Sequence, residues 1–166
     1  MEKIFLGGGC FWCVEAYFSK LKEVRCTPGY MGGDVEYPKY EQVCAGSTGH
    51  HEVCEIENFK SLSRILNLYW KIIDPFDASG QFHDRGEHYQ TVIFYTSDQQ
   101  RKKVVESKKK LELHFSRRVE TLILPAKNFY SAELYHHQFF KKNPEYYQKY
   151  LNASGRKAFI ETLWGK

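Results

Sequence analysis

No stretch of the chain is long and apolar enough to span a membrane, and no internal repeat, low-complexity tract or linker divides its 166 residues. Neither a membrane-spanning helix nor a repeat scaffold is expected. One domain over residues 1–166 is expected, large enough to bury roughly two-thirds of the surface that its unfolded form exposes. Charge of one sign is also scarce, the net value being +4, and the excess gathers in Arg101 to Lys110, a run that reads as the solvated face of a helix. No nucleic-acid motif accompanies it, so neither nucleic acid nor membrane is an expected partner. Cysteine is sparse and odd in number, at five. The apolar run Ile4-Phe5-Leu6 is too short for a secretory leader, so a reducing, cytoplasmic setting is expected, with thiols that are catalytic, metal-bound or buried.

Aromatic residues, by contrast, are plentiful at 16%. Lys3 to Leu6 predicts a short strand ended by Gly7-Gly8-Gly9, after which Val14, Phe18 and Leu21 recur at helical spacing from Cys10 onward. Val24 to Tyr30 reads as extended, the piece through Pro38 as a loop, and Glu52 to Asn58 as an alternating strand. Ser61 caps a helix whose Leu62, Ile65, Leu66, Tyr69 and Ile73 form one apolar stripe before Asp74-Pro75. Gln90 to Tyr95 is a β-branched and aromatic strand; Ser97 and Gln100 predict a capping box opening a helix to about Phe115, and Glu120 to Leu124 returns as a strand. The order argues for an α+β layer with helices on a sheet, followed by short helices and loops.

The segment "FLGGGCFWCVEAYF" places Cys10 and Cys13 one helical turn apart. At the first turn, unpaired N–H groups and the helix dipole favour thiolate at Cys10. Cys13 is close enough to resolve an oxidised Cys10. A thioredoxin-like thiol-disulfide oxidoreductase acting on protein disulfides is the main alternative. Against it, Phe11 and Trp12 crowd Cys10, and Thr27-Pro28 comes too early for the proline loop of that fold. A zinc-stabilised binding module ranks third, because Cys26, Cys44, Cys54, His50 and His51 offer no convincing second half-site.

Two further stretches carry polar chemistry. "YPKYEQVCAGSTGHHEVCEIE" ends on a strand opened by Glu52, which burial against aromatics turns into a neutral acid. "FHDRGEHYQTVIF" sets Asp84 and Tyr89 ahead of a strand, and tyrosine hydroxyls from both stretches are suited to binding one substrate oxygen.

"GGCFW", "GYMGG", "PKYEQVCAGSTGHHE" and "FYSAE…HHQ…KNP" resemble, in order and spacing, the motifs of the A-type peptide methionine sulfoxide reductases. The likeness runs from about Lys3 to Tyr147 and implies a ferredoxin-like two-layer α+β sandwich with a mixed sheet. It also implies reduction of methionine S-sulfoxide, free or in oxidised proteins, and thioredoxin or a similar dithiol as reductant. By the same resemblance, Cys10 is the nucleophile, Phe11 and Trp12 hold the substrate methyl group, and Glu52 protonates the sulfoxide oxygen. Tyr40 and Tyr89 bind that oxygen, supported by Asp84.

The pattern departs at His88, where the family usually has Gln, and at Gln90-Thr91, where it usually has Arg-Ser. No cysteine follows Cys54, whereas many members carry resolving cysteines in a C-terminal tail. Cys13 is therefore the expected resolver, with Cys26, Cys44, Cys54 or an external thiol as alternatives. His50 is expected to buttress Glu52. No metal and no cofactor are expected, and the protein is expected to be a monomer.

Overall fold

In the computed structural model, which describes residues 2–165, alternating apolar residues organise the sheet. Along β1 (Lys3–Gly7), Ile4 and Leu6 face one side and Phe5 the other. Along β3 (His51–Glu57), Cys54 and Ile56 join the first side and Val53 the second. With β2 (Arg25–Met31), β6 (Val92–Tyr95), β7 (Leu122–Pro125) and β8 (Tyr130–Ser131), the spatial order is β7-β6-β1-β3-β2-β8. Every pairing is antiparallel except β6 with β7, which is parallel, so the sheet is mixed.

Four of these strands carry the expected ferredoxin-like pattern. In chain order they are β1, β2, β3 and β6, lying fourth-first-third-second across the sheet. The helix α1 (Phe11–Phe18) connects the first two, and α3 (Leu62–Ile72) precedes the fourth. Ile4, Leu6, Phe11, Val14, Phe18, Ile65, Tyr69 and Ile93 form the core between sheet and helices. A smaller cluster of Phe5, Met31, Val53, Val92 and Phe94 on the other face is covered by Phe129.

The predicted caps hold with one change of partner. Ser61 Oγ accepts from Arg64 N at 3.3 Å at the start of α3, and Ser97 Oγ accepts from Gln100 N at 3.1 Å at the start of α4 (Asp98–Phe115). The Gln100 side chain does not return to Ser97 as a capping box requires. Its Oε1 accepts from Thr96 N at 2.8 Å and its Nε2 donates to Lys3 O at 2.9 Å, which ties the start of α4 to β1. In the basic run, Arg101, Lys102 and Lys110 pair with Asp98 and Glu106 at the surface. Such pairs contribute little, and the run is a solvated face.

Several elements had no clear sequence signal. They are α2 (Tyr40–Cys44) and the hairpin β4 (Gly80–Gln81) with β5 (Asp84–Arg85), whereas α5 (Phe139–Lys142), α6 (Pro144–Ser154) and α7 (Arg156–Trp164) are the short helices expected toward the C-terminus. Arg156, 1% exposed, donates from Nη1 to Ile72 O at 2.6 Å and from Nη2 to Gly8 O at 2.8 Å. Those two bonds fasten the C-terminal helices over the glycine turn.

Candidate active site

The turn that presents Cys10 demands glycine. Gly9 has φ +87°, and a Cβ there would sit 2.6 Å from the Gln81 Cβ. Cys10 follows as the N-cap of α1 with extended backbone (φ −62°, ψ 122°), so it lies just outside the regular helical turn that holds Cys13.

Strand parity brings Glu52 to the same place. It shares the core-facing side of β3 with Cys54 and Ile56, and its Oε1 accepts from Phe11 N at 3.2 Å. The carboxyl thus meets the N-terminus of α1 beside Cys10. Glu52 is 1% exposed and its Oε2 is buried without a hydrogen-bond partner. Burial pushes this carboxyl well above the usual carboxylate range, which favours its protonated form.

The two thiols behave differently from the expectation that the helix N-terminus acidifies Cys10. Burial raises the Cys10 thiol well above its ordinary value, and the neighbouring Cys13 adds to the effect. The hydrogen bond shared with Cys10 brings Cys13 down to about 7 against the cost of burial, helped by the Arg156 guanidinium and by a hydrogen bond with Tyr147. The acidic thiol of the resting pair is Cys13, chiefly because it shares the hydrogen bond with Cys10, with the charge of the buried Arg156 adding to the effect.

Around this pair the structure gathers more aromatic residues than Phe11 and Trp12. Phe11 packs against Tyr30, Tyr40 and His136, with ring centroids 5.7, 6.5 and 4.9 Å away. Trp12 stacks on Phe139 at 3.8 Å and donates from Nε1 to His136 Nδ1 at 2.9 Å. Tyr40, Tyr89 and Asp84 all lie close enough to Glu52 to act on or be acted on by its charge. Burial raises both tyrosine hydroxyls far above their ordinary value, so they remain proton donors. Asp84 accepts a hydrogen bond from the Tyr150 hydroxyl.

His50 does not buttress Glu52. Its Nδ1 accepts from Gly33 N at 3.0 Å and its Nε2 meets Val35 O at 2.7 Å, so it organises the preceding loop. Sequence reasoning also passed over Glu133, which accepts from Tyr30 Oη at 2.8 Å and from Tyr40 N at 2.9 Å and so locks α2 to β2. Tyr147, Tyr150 and Arg156 were missed as well. The one available signal was Asn143-Pro144, a helix start that brings this face of α6 back over α1.

The family model described as peptide methionine sulfoxide reductase matches residues 2–166. The chain belongs to the peptide methionine sulfoxide reductase family. It is 47% identical over 170 residues to the peptide methionine sulfoxide reductase MsrA 2 of Staphylococcus aureus, covering 99% of this chain and 96% of the relative. The reduced form of Mxr1 from Saccharomyces cerevisiae superposes with a TM-score of 0.82 at 29% identity, over 87% of this chain and 86% of that one. Mxr1 in complex with Trx2 matches in fold with a TM-score of 0.58 at 21% identity, over 83% and 84% of the two chains. This reductase is accordingly an enzyme that reduces methionine sulfoxide.

Proposed function

We propose that the enzyme reduces the S epimer of methionine sulfoxide, free or in oxidised proteins, through Cys10, Glu52 and Cys13. The observation that supports this reading is the Phe11 N to Glu52 Oε1 contact, which holds a buried carboxyl, raised well above the usual range, at the N-terminus of α1 next to Cys10. A sulfoxide oxygen is a poor leaving group until it is protonated. Glu52 gives its proton to that oxygen, with the Tyr40 and Tyr89 hydroxyls donating hydrogen bonds to it and Asp84 supporting the cluster. Phe11 and Trp12 hold the methyl group.

Cys10 attacks the substrate sulfur, and its own proton passes along the shared hydrogen bond to the thiolate form of Cys13, which is populated because that group titrates at about 7. The products are methionine and a Cys10 sulfenic acid, the thiol having given up two electrons. Cys13 then attacks that sulfenic sulfur, releasing water and forming a Cys10–Cys13 disulfide. The extended backbone of Cys10 favours this bond, since α1 need not unwind to make it. A dithiol protein of the thioredoxin type returns both thiols, a reading supported by the Trx2 complex of the yeast protein. No helix among the described residues is long and apolar enough to cross a membrane, and five unpaired thiols fit a reducing cytoplasm.

Mass spectrometry after one equivalent of substrate tests the route. A Cys10–Cys13 bond is expected; a persistent Cys10 sulfenic acid with Cys13 free contradicts the resolving step.

A further inference from the structure

Beside Glu52 lie two metal-ligating side chains that the reaction above does not use. Cys44 Sγ, a Glu52 carboxyl oxygen and a His88 ring nitrogen all fall within 4.8 Å of one another. They arrive from the last residue of α2, the core face of β3 and the 3-10 turn Glu87–Tyr89, positions too far apart in sequence for any spacing motif to reveal.

The donor set has the chemistry of a zinc site: one sulfur, one imidazole nitrogen and one carboxylate oxygen. Zinc bonds of about 2.0–2.3 Å place tetrahedral ligand atoms roughly 3.3–3.8 Å apart, so the three need to close by about 1.5 Å at most. Two further observations point to a ligand. Glu52 Oε2 is fully buried with no partner. His88 is buried too, so its ring nitrogen sits with the other two donors away from bulk solvent. Cys44 is reachable from solvent and gives the ion a way in.

We propose that Cys44, Glu52 and His88 form an inhibitory site for zinc-class divalent cations, with water completing the tetrahedron. Binding displaces the protons of the Cys44 thiol and the Glu52 carboxyl and leaves charge-neutral ligation of Zn2+ by two anions and one imidazole. Occupancy removes the proton that the sulfoxide oxygen requires. The inhibition rests on the reading of Glu52 as the acid, whereas the binding does not.

The test separates the two. Reduced protein is titrated with Co2+, which reports thiolate ligation through a sulfur-to-metal charge-transfer band. The Cys10→Ser/Cys13→Ser protein is expected to keep this band, and Cys44→Ala to lose it. In turnover, Zn2+ is expected to inhibit the wild type reversibly on chelation. Cys44→Ala and His88→Gln are expected to turn over like the wild type and to need at least about tenfold more Zn2+ for the same inhibition. A cobalt band that survives in Cys44→Ala and vanishes in the Cys10→Ser/Cys13→Ser protein places the cation on the redox pair and overturns the proposal. So does wild-type zinc sensitivity in both turnover variants. Cobalt ligation through Cys44 without inhibition contradicts the acid role of Glu52 and leaves the site standing.

Discussion

In the proposed mechanism, Cys10 and Cys13 divide their roles through their surroundings rather than through their order in the chain. Burial keeps Cys10 protonated at rest, and Arg156 draws charge toward Cys13. Arg156→Met is therefore expected to raise the pH at which Cys13 is alkylated by on the order of one unit, read from the pH profile of iodoacetamide labelling. An unmoved profile contradicts the role of the guanidinium. Removing either hydroxyl proposed to bind the sulfoxide oxygen, by Tyr40→Phe or Tyr89→Phe, is expected to lower kcat/KM by about tenfold or more while leaving the thiol titration in place. At this scale Cys10, Cys13 and Glu52 were legible because "GCFWC" and the strand opened by Glu52 are local patterns. Arg156 was not, since nothing in a Lys-rich tail marks which cation is buried.

Among the elements, α2 is tied to the sheet by the side chain of Glu133 as well as by the packing of Tyr40 and Val43. Its five residues are too few to hold a helix by themselves. The Glu133 carboxylate joins it to β2 by accepting from both Tyr40 N and Tyr30 Oη. Glu133→Ala leaves both donors unpaired, and a loss of about 2–4 kcal/mol in urea unfolding is expected. Activity should fall with it, because Tyr40 loses its position. Wild-type stability and turnover in this variant contradict the account. The principal strands and helices could be read from apolar periodicity and from Ser61 and Ser97. The two-residue strands and α2 could not, because they are held by tertiary bonds such as those of Glu133 and not by their own pattern.

Across the whole molecule, the C-terminal helices close over α1 and bury Glu15, whose Oε1 accepts from Gln138 N at 2.7 Å. Burial lifts this carboxyl to about 7, whereas it ionises near 4.3 when unfolded. Between those values the native state holds the extra proton, so stability falls as pH rises through the window and levels off above it. Glu15→Gln is expected to flatten the thermal stability profile between pH 5 and 8, and an unchanged slope contradicts this assignment. The long-range closure that creates this burial is the part of the fold least visible in sequence. It rests on Arg156 reaching Gly8 O, across 148 positions of the chain.

The most direct measurement is single-turnover methionine formation from methionine S-sulfoxide by prereduced protein, with no added reductant. Wild type should give one methionine per chain in the first chemical step, and Cys13→Ser should also give one, more slowly, because it lacks the group that takes the Cys10 proton. Glu52→Gln should slow that step by about a hundredfold or more, and Cys10→Ser should give none. Methionine formed by Cys10→Ser at the wild-type rate contradicts the account.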